Sequence, residues 1–580
     1  MHQPNLQPNP SSYFDYKIHP FLRPPEMNTS VSTPTHPAVV VGAGPIGLVL
    51  AILLARQGVK TVLIESEAQV CGGSRALALS RRSMEIMEQA GVDRAFLSEA
   101  ILWDKGRSYY RGQVVHHLDL PFSEDDKYAP MTNLPQCNME GILVEHALAL
   151  GVDIRFQTRL IGLDEQSECV LLTLDTPEGE YRTRARWVVG CDGARSAVRR
   201  LQGLRFEGNS FESRFVIADF KIDIDAPAGR RCYFDPPWLP GHSALLHKAP
   251  FGVWRLDYQV PADVNDEEAL DTARIQAHIQ AHLDYIGVSA PWKIEWTTLY
   301  KPNTLTLASY RHGRVMYCGD AAHLLPVFGV RGMNTGVQDS INLAWKLAAV
   351  IHGKAENTLL NTYSSERVAD ARQICSEAAR STRMMAPPTR GYSILQQAVL
   401  DLCLRHEFPR ELLHWRTSRP IDYADSVLTL RDTTESWFTA GPTPGAPARN
   451  VKLDDGRFLL DSFSYEFQIL VFAGTAALQE QALQMRDHLR SKGLGARLTT
   501  VGSARESAAG ADVELQDAKL HAARLWGAEG GAIYILRPDQ HILTRWKPGG
   551  GMSADILLQA LLAAHAPQAR NPSASEKATT

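Results

Sequence analysis

The sequence lacks most of the features that mark metal-binding, disulfide-bonded, membrane or nucleic-acid-binding proteins. Its 8 cysteines stand singly among 580 residues, with no CxxC pair, which argues against a zinc site and for a reducing compartment. The net charge of -4 provides no basic surface for nucleic acid or an anionic membrane. The most apolar stretch, residues 37–55, is shorter than the roughly 20 residues of a membrane span and contains glycine and proline. These absences predict a cytoplasmic protein without a bound metal.

The length and the two ends of the chain indicate how it is divided. With 580 residues, of which 44% are hydrophobic and 21% charged, we expect about two to four globular units. Residues 1–36 are rich in proline, serine, threonine and asparagine, and they lack the basic start and apolar core of a secretory signal. Residues 566–580 have a similar composition. We therefore predict that both ends are disordered, and Met27 is a candidate start.

One stretch, AVVVGAGPIGLVLAILLARQGVKTVLIE at residues 38–65, has the pattern strand, tight turn, helix, strand. Gly42 permits the turn, Gly44 lets a pyrophosphate approach the backbone, and Gly47 lets the helix pack on the strand. The helix start directs N–H groups and partial positive charge at phosphates, and Glu65 would accept hydrogen bonds from a ribose. The alternative is a glycine turn between buried elements. The motif predicts a dinucleotide site without distinguishing NAD from FAD.

Two later junctions between a strand and a helix carry a carboxylate next to a glycine. The stretch RWVVGCDGARSAVRR contains a buried strand followed by Asp192, and Arg195 begins a helical turn. A carboxylate, a glycine and a basic helix start can hold a ribose or a pyrophosphate. The stretch GRVMYCGDAAHLLPVFGVRGMNTGVQDSINLAWKLAAVIHG brings Asp320 to a loop that precedes an amphipathic helix. Each junction alone could be ordinary, but three in this order indicate one nucleotide site.

Two polar residues outside these motifs are further candidates for ligand binding. Arg75 follows CGGS, where its guanidinium could reach a phosphate, although a surface arginine is the alternative. Gln136 stands just ahead of a helix predicted at 138–150, where it could bind a ligand or cap the helix.

The three motifs together resemble the fingerprints of the single-component FAD-dependent aromatic hydroxylases. The resemblance covers about residues 36–400, from the GxGxxG stretch through Asp192 to Asp320. The loop after Pro326 and the long C-terminal extension are most similar to the phenol hydroxylase and 3-(3-hydroxyphenyl)propionate hydroxylase branch. The implied fold class is α/β, with a Rossmann-like FAD-binding domain, an inserted mostly antiparallel β substrate domain and a C-terminal thioredoxin-like α/β domain.

The resemblance also implies a ligand for individual residues. The first motif would hold the AMP half of FAD, and polar groups after it the pyrophosphate and ribityl region. Backbone N–H groups at a later helix start would face the N1/O2 edge of the flavin. Asp192 and Arg195 would also serve a transient NAD(P)H. The implied cofactor-binding residues are Gly42, Gly44, Pro45, Gly47, Glu65, Arg75, Gln136, Asp192, Arg195, Asp320, Gly332, Met333 and Asn334.

The chain departs from the family pattern in the loop that borders the reacting face of the flavin. The family commonly has a second proline and paired glycines with glutamine or a small residue, where this chain has Val327, Val330 and Arg331. Val327 agrees with some members of the branch. Arg331 could meet an acidic substrate, the anionic flavin or the phosphate of NADPH, so substrate shape and flavin mobility stay open.

Residues 206–297 alternate polar and apolar side chains and predict a mostly antiparallel sheet, which in this family covers the active site. Period two puts Arg255 and Asp257 on one face, with His247 on the neighbouring strand. These three are the catalytic candidates, and His247 or Asp257 would start a proton relay. Solvent-facing strand residues are the alternative. Further substrate-side candidates in the preceding loop are Trp238 and His242.

The expected chemistry follows from what the chain lacks and from the resemblance. No metal cluster or P-loop appears in the sequence, so the oxidising power must come from the flavin. In the family, NAD(P)H reduces FAD, O2 adds at C4a, and the C4a-hydroperoxyflavin transfers OH to a ring carbon ortho or para to a phenol. Where the 4-hydroxybenzoate hydroxylases place an arginine that binds the carboxylate, this chain has Ala249. A neutral phenol- or naphthol-like substrate is therefore expected.

The pattern changes after a linker, GPTPGAP, at residues 441–447. A strand, helix, strand, helix and hairpin follow, in the order of a thioredoxin-like domain. No cysteine occurs after Cys403, so this part would serve packing or dimerisation and not dithiol chemistry. The predicted domains are FAD-binding at 37–105, 131–205 and 298–400, substrate-binding at 106–130 and 206–297, a helical connection and linker at 401–440 and the thioredoxin-like domain at 441–565.

The sequence thus predicts a flavin-dependent monooxygenase that inserts one oxygen atom from O2 into a phenolic ring. Its partners would be a small aromatic substrate, O2, NAD(P)H and a second copy in a homodimer, and not nucleic acid. Two alternatives stay open: an FAD epoxidase or reductase of the same fold with a non-aromatic substrate, and a non-catalytic dinucleotide-binding redox sensor. The WxWxIP segment of flavin halogenases is absent.

Overall fold

The computed structural model of the protein describes residues 4–28, 35–326, 328–413, 419–472, 475–502 and 510–562. The chain forms two compact units. The first comprises Met1–Ile341 and Arg367–Pro420, and the second Asn342–Glu366 and Ile421–Thr580.

The strands that precede α8 in the chain, all of which lie in the first unit, build several sheets. They are β1 (Thr35–Val41), β2 (Thr61–Ile64), β3 (Ala78–Ser80), β4 (Ile101–Trp103), β5 (Lys105–Tyr110), β6 (Gln113–Asp119), β7 (Met131–Asn133), β8 (Asp153–Arg155), β9 (Arg159–Glu165), β10 (Val170–Thr176), β11 (Gly179–Gly190), β12 (Glu207–Ser210), β13 (Arg214–Ile222), β14 (Arg230–Phe234), β15 (Ser243–Lys248), β16 (Val253–Val260), β17 (Trp292–Tyr300), β18 (Asn303–Thr306), β19 (Arg311–His312), β20 (Val315–Tyr317) and β21 (His323–Leu324).

The helices up to residue 403 connect these strands or follow them. They are α1 (Pro45–Arg56), α2 (Arg81–Ala90), α3 (Asp93–Glu99), α4 (Gln136–Ala149), α5 (Ala197–Leu201), α6 (Asp266–Ala269), α7 (Thr272–Tyr285), α8 (Gly332–Ile351), α9 (Leu359–Met385) and α10 (Arg390–Cys403). Within the described ranges, none of the helices combines the length and the apolar character that crossing a bilayer requires.

A mainly parallel sheet in the order β19-β20-β11-β1-β2-β8 forms the centre of the first unit, with β9 and β10 attached through β11. Strand β1 is central, and its Val39 and Val40 are fully buried, as expected for β-branched residues covered on both faces. The helix α1 connects β1 to the parallel strand β2, which confirms the predicted strand, turn, helix and strand. Register places Val41 beside Gly190, and Gly190 beside Tyr317. The three predicted junctions therefore leave the sheet at the same edge.

A second, seven-stranded sheet has the order β17-β13-β16-β15-β14-β5-β6. All its pairs are antiparallel except β5 with β14, which confirms the predicted mostly antiparallel sheet. Cross-strand register aligns one row of residues across five strands, and this row lies on a single face of the sheet. The row consists of Trp296, Asp219, Arg255, His247 and Arg230.

The amino-terminal segment at residues 4–28 packs against the first unit, so the predicted disorder is wrong there. Tyr16 is buried, and the buried Glu26 accepts hydrogen bonds at 3.0 Å from both Arg155 Nη1 and Thr183 Oγ1. The segment has no core of its own, but it gains order by burying these side chains on a larger surface. The rest of the two predicted extensions, residues 1–3, 29–34 and the tail at 566–580, lies outside the described residues.

The described sheet of the second unit is mixed. Its elements are β22 (Phe467–Phe472), α11 (Ala476–Ser491), β23 (Ala496–Gly502), β24 (Val513–Gln516), α12 (His521–Leu525), β25 (Ala532–Leu536), β26 (Ile542–Trp546) and α13 (Ala554–Leu562). The strand order is β24-β23-β22-β25-β26, with β22, β23 and β24 parallel and the β25–β26 hairpin antiparallel. The thioredoxin-like assignment stays a prediction.

Within the predicted helical connection and linker at 401–440, the helical part is wrong over most of its length. Helix α10 ends at Cys403, and the described residues after it hold only 3-10 turns, at Phe408–Leu413 and Glu435–Trp437. The prolines in this stretch and its β-branched residues disfavour a continuous helix.

The second unit also begins earlier than predicted, at Ile421, and it includes Asn342–Glu366. A buried ion network explains this inclusion. Glu366 accepts hydrogen bonds from Arg537 at 2.7 and 3.0 Å and from Lys346 Nζ at 2.7 Å. All three side chains are at most 1% exposed, so each charge depends on the others for its solvation.

We expect Glu366→Gln to lower the free energy of unfolding by about 3–5 kcal/mol, because the buried Lys346 loses its carboxylate partner and Arg537 keeps only Asp539. Denaturation of the purified protein, followed by tryptophan fluorescence, measures the change. Glu145→Gln is the control, since Glu145 pairs with Lys17 at the surface and both side chains are about two-thirds exposed (68% and 65%). A loss of similar size in the two variants would contradict a special role for the network.

Candidate functional site

The shared edge of β1, β11 and β20 opens into a cavity of about 1690 Å³. Gly44, Asp192 and Asp320, one from each predicted motif, all line this cavity, and Arg255 and Asp257 line it from the second sheet. A single small-molecule site usually occupies about 300–1,000 Å³. The cavity therefore has room for a dinucleotide and a second ligand.

The glycines of the first motif have distinct geometric roles. Gly42 has a φ of 104°, which only glycine adopts without strain. A Cβ on Gly47 would lie 1.9 Å from the carbonyl oxygen of Gly42, so only glycine lets α1 approach this turn. A Cβ on Gly44, the residue that caps α1, would meet nothing within 4 Å. Open space beside the first turn of a helix is what a pyrophosphate requires.

Glu65 lies at the end of β2 and lines the cavity. Its Oε2 accepts a hydrogen bond from the N–H of Ala43 at 2.7 Å, and its Oε1 accepts one from the N–H of Glu67 at 2.9 Å. Burial raises the pKa of this carboxyl, and the backbone N–H groups oppose the shift. The carboxylate is thus held beside the glycine turn, where the sequence predicts a ribose.

Asp192 caps the short helix α5, since its Oδ2 accepts hydrogen bonds from the N–H groups of Ala197 and Val198 at 2.6 and 3.1 Å. Burial raises the pKa of this carboxyl. Arg195 is exposed and lines the same cavity. The junction therefore presents a fixed carboxylate and an exposed guanidinium at the cavity rim.

Asp320 stands in a 3-10 turn at Gly319–Ala321, and its exposed side chain lines the cavity. Asp339 Oδ2 fixes this turn by accepting a hydrogen bond from the N–H of Gly319 at 2.9 Å, and Arg367 Nε lies 2.6 Å from the other oxygen of Asp339. Among the described residues, no group donates a hydrogen bond to the Asp320 carboxylate. It is therefore available to a ligand.

Gly332, Met333 and Asn334 form the first turn of α8 and line the cavity. The Asn334 side chain is fully engaged with the protein, because its Oδ1 accepts hydrogen bonds from Ser80 N–H at 2.8 Å and Ser83 Oγ at 2.6 Å. The first N–H groups of a helix have no partner inside the helix. The backbone of this turn, and not the Asn334 side chain, is what the site can offer.

Arg75 belongs to a loop, residues 71–76, that borders the cavity, and Gln136 at the start of α4 contacts this loop. Arg75 is exposed, lines the cavity and has the unusual φ of 27°. Gln136 Oε1 accepts a hydrogen bond from Ala76 N–H at 3.0 Å, so its side chain supports the loop. Glu140 accepts a hydrogen bond from the N–H of Cys71 at 2.7 Å, and burial raises the pKa of Glu140 to about 7.

Arg255 ties the 71–76 loop to the seven-stranded sheet. Its Nε donates to Asp219 at 3.0 Å, its Nη1 donates to the carbonyl of Arg75 at 2.6 Å, and its Nη2 contacts the hydroxyl of Ser74. Ser74 also contacts Asp219. These partners occupy the guanidinium, which therefore acts as a clamp that holds the 71–76 loop on the sheet.

Asp257 and His247 both line the cavity, but the pKa of Asp257 is raised and the pKa of His247 is lowered. Burial raises the pKa of Asp257 to about 7, Arg255 opposes the shift, and the Oδ1 atom of Asp257 is buried without a hydrogen-bond partner among the described residues. His247 stands between Arg230 and Arg255 in the cross-strand row. Burial and these two cations lower its pKa to about 3. His247 is therefore neutral at neutral pH, whereas Asp257 can exchange a proton there.

The substrate-side prediction is wrong for Trp238 and His242, because neither lines the cavity described above. Trp238 packs on the opposite face of the sheet, with its ring centroid 6.1 Å from Tyr258 and 5.4 Å from His282. His242 pairs through Nδ1 with the carbonyl of Pro240 at 2.8 Å. Their loop turns behind the sheet, which the sequence pattern does not indicate.

In the loop that departs from the family pattern, the backbone is strained at Val330, and the side chain of Arg331 has acceptors on a neighbouring helix. Val330 has a φ of 60°, which is rare for a β-branched residue. Arg331 is buried, and its Nη1 lies 3.4 Å from both Glu377 Oε2 and the carbonyl of Ile374 on α9. Glu377 and the carbonyl of Ile374 thus compensate the charge of Arg331, which also lines the cavity. Val327 lies outside the described residues.

Two cavity residues, Glu140 and Arg230, and Asp219, the buried partner of Arg255, were not predicted from the sequence. Asp219 sits in the apolar strand stretch FVIADFKI, where a fully buried acid is itself a signal of a buried partner. Glu140 and Arg230 lie in a helix and a strand where either face could carry a charge, so no local signal marks them.

The comparison with a protein-family profile decides the identity of the site. A profile described as an FAD binding domain matches residues 35–378, more than half of the chain. The chain belongs to the FAD binding domain family. The predicted cofactor, FAD, and the predicted Rossmann-like fold are thereby confirmed.

Two curated relatives of this FAD-binding chain confirm the resemblance to FAD-dependent aromatic hydroxylases. A 3-(3-hydroxy-phenyl)propionate/3-hydroxycinnamic acid hydroxylase from Mycolicibacterium smegmatis is 30% identical over 375 residues, which are 62% of this chain and 63% of the relative. A rifampicin monooxygenase from Streptomyces venezuelae is 33% identical over 353 residues, 60% of this chain and 71% of the relative. The match thus spans less than two thirds of the first relative.

One solved structure is similar in fold over a larger part of the chain than the curated relatives cover. The flavin-dependent monooxygenase PieE, solved with FAD and substrate, has a TM-score of 0.73 and 23% sequence identity, covering 92% of this chain and 100% of PieE. At this identity the likeness concerns the fold.

The residues of the cavity fit FAD. The open space at Gly44 beside the start of α1 suits a pyrophosphate, and Glu65 at the end of β2 suits a ribose. Asp320 offers a carboxylate to which no described residue donates a hydrogen bond. The volume of about 1690 Å³ leaves space for a substrate besides the cofactor.

We expect Gly44→Val to keep the fold and to weaken FAD binding by at least about 100-fold, because its side chain would enter open space that the pyrophosphate needs. Gly44 has φ of -70° and ψ of 179°, which valine also adopts, so backbone strain is not expected. Fluorescence titration with FAD measures the affinity, and circular dichroism checks the fold. A folded G44V protein that retains FAD as tightly as the parent protein would contradict the assignment.

Proposed function

We propose that the protein is an FAD-dependent monooxygenase that inserts one oxygen atom of O2 into a phenolic aromatic ring, with NAD(P)H as the electron donor. The overall reaction consumes the phenol, O2, NAD(P)H and a proton, and it yields the hydroxylated phenol, NAD(P)+ and water. Bound FAD supplies the electron transfer and oxygen activation that amino-acid side chains lack. The relatives named hydroxylase and monooxygenase support this assignment.

The observation that carries the proposal is the buried carboxyl of Asp257 in the same cavity as the FAD motifs. Asp257 Oδ1 is without a partner among the described residues, and burial holds its pKa at about 7. A carboxyl of this kind can accept the proton of a phenol near neutral pH. The resulting phenolate is electron-rich at its ortho and para carbons, which favours attack on an electrophilic oxygen. We assign the role of general base to Asp257.

His247 and the clamp residue Arg255 would have supporting roles. His247 is neutral, so it can donate one hydrogen bond and accept another, and it would orient the ring oxygen of the substrate. Arg230 and Arg255 flank it and place positive charge near a developing phenolate. Arg255 acts through the 71–76 loop and is a positioning residue.

The wall around Asp257 also excludes water. Ile217, Leu245 and Phe328 line the cavity, and all three are buried. Apolar lining keeps bulk water from the reacting oxygen, which would otherwise be lost as peroxide, and it strengthens each electrostatic contact inside.

The proposed substrate is a neutral phenol with fused rings, of the naphthol class or larger. The volume of about 1690 Å³ supports a substrate larger than one ring beside the cofactor.

The exposed Arg195 at the rim would meet the phosphates of NAD(P)H. A cytoplasmic location and a homodimer remain predictions from the sequence.

The deciding experiment is a panel of phenols with one, two and four fused rings, each tested with NADH and NADPH. We expect an active phenol to stimulate NAD(P)H oxidation and to give a product heavier by one oxygen atom, labelled from 18O2. If none of the panel stimulates oxidation or gains oxygen while the protein holds FAD, the proposed hydroxylation is wrong.

We expect Asp257→Asn to lower kcat by about 100-fold, because the amide cannot accept the phenol proton. In the parent enzyme, kcat should rise with pH through about 7, the region in which Asp257 loses its proton, and this limb should vanish in the variant. Steady-state kinetics over a pH series, with coupling measured as product per NAD(P)H, test the expectation.

His247→Gln is the matched control for this prediction. It changes a neighbouring residue of the same wall that carries no proton to lose near pH 7, so the pH limb should persist. A limb that survives in D257N and disappears in H247Q would assign the base to His247.

A further inference from the structure

We propose that Asn5 and Asn9 of the amino-terminal segment at residues 5–19, here called the strap, border the FAD site, and that Tyr16 is a positioning residue for the 71–76 loop. The proposal rests on FAD binding alone and does not depend on the hydroxylation proposed above.

The strap crosses the cavity rim and is anchored on both sides of it. On the side of the parallel sheet, the N–H of Asn9 donates to Gln69 Oε1 at 3.0 Å. On the side of the seven-stranded sheet, the N–H of Ser12 donates to Glu295 Oε2 at 3.0 Å. Asn9, together with Asn5, lines the cavity. The strap therefore forms one border of the space that would hold the cofactor.

Tyr16 makes two hydrogen bonds to the backbone of the 71–76 loop through one hydroxyl. The N–H of Gly73 donates to it at 2.9 Å, and it donates to the carbonyl of Cys71 at 3.3 Å. Tyr16 is 5% exposed, and burial raises the pKa of its phenol, so the hydroxyl keeps its proton and can act in both directions. The pair of bonds fixes the turn at Gly73.

The turn at Gly73 determines where Arg75 can point. Gly73 has a φ of 75°, and a Cβ on it would lie 2.3 Å from the ring of Trp296, so the turn is pressed against the seven-stranded sheet. Arg75, two residues later, has the unusual φ of 27° and lines the cavity. A strained backbone of this kind persists only where its surroundings hold it.

Three separate supports hold the loop: Arg255 from the sheet, Gln136 and Glu140 from α4, and Tyr16 from the strap. The first two supports come from the body of the first unit, whereas the strap is a segment without a core of its own. Loss of the Tyr16 hydroxyl should therefore loosen the loop without removing any core packing.

Tyr16→Phe removes this hydroxyl and keeps the ring. We expect FAD release from the holoenzyme to become about tenfold faster, as the loss of about one net hydrogen bond implies. Amide hydrogen exchange in the peptide that contains residues 71–76 should also become faster, because the Gly73 N–H loses its acceptor. Release is followed as the rise of flavin fluorescence after dilution, and exchange by mass spectrometry of the holoenzyme.

Tyr13→Phe is the matched control. Tyr13 lies on the same strap, and its hydroxyl has a long contact of 3.9 Å with Cys137 Sγ, while its ring stacks on Phe251. We expect Y13F to release FAD at the parental rate. Unchanged FAD release and unchanged exchange at 71–76 in Y16F would overturn the proposal, and so would equal effects in Y16F and Y13F. Neither readout needs a substrate, so this failure is distinct from a failure of the proposed hydroxylation.

Discussion

The buried guanidinium of Arg255 is the constraint on which the site depends. A buried cation is tolerated only when fixed acceptors replace its water, and here Asp219, Ser74 and the carbonyl of Arg75 do so. The acceptors come from two different parts of the chain, so satisfying one charge also sets the distance between the 71–76 loop and the seven-stranded sheet. That distance defines how much room lies between a cofactor and the Asp257 wall.

The parallel sheet and the cofactor motifs could be predicted because their signals are local. The stretch at 38–65 contains its own strand, turn, helix and acid, and the register of Val41, Gly190 and Tyr317 brings the three junctions to one edge. In parallel strands the carboxyl ends must meet, so the convergence follows from the order of the elements. Period two likewise predicted that Arg255 and Asp257 share a face.

What the sequence did not indicate depends on contacts between distant residues. Arg255 looked like a candidate for chemistry, yet its donors are engaged by Asp219 and the 71–76 loop. The composition of residues 4–28 suggested disorder, because nothing in that segment shows that a larger surface covers Tyr16 and the side chain of Glu26. The second unit includes Asn342–Glu366, because Glu366 pairs with Arg537, 171 residues away in the chain.

The position of Asn5 and Asn9 on the cavity rim has a practical consequence for preparing the protein. An affinity tag or fusion partner joined in front of this segment would add its own chain close to the cavity rim. Tagged material and material from which the tag has been cleaved would then differ at the mouth of the site. Rates and affinities obtained with the two preparations should not be pooled, and a tag at the other end of the chain avoids the ambiguity.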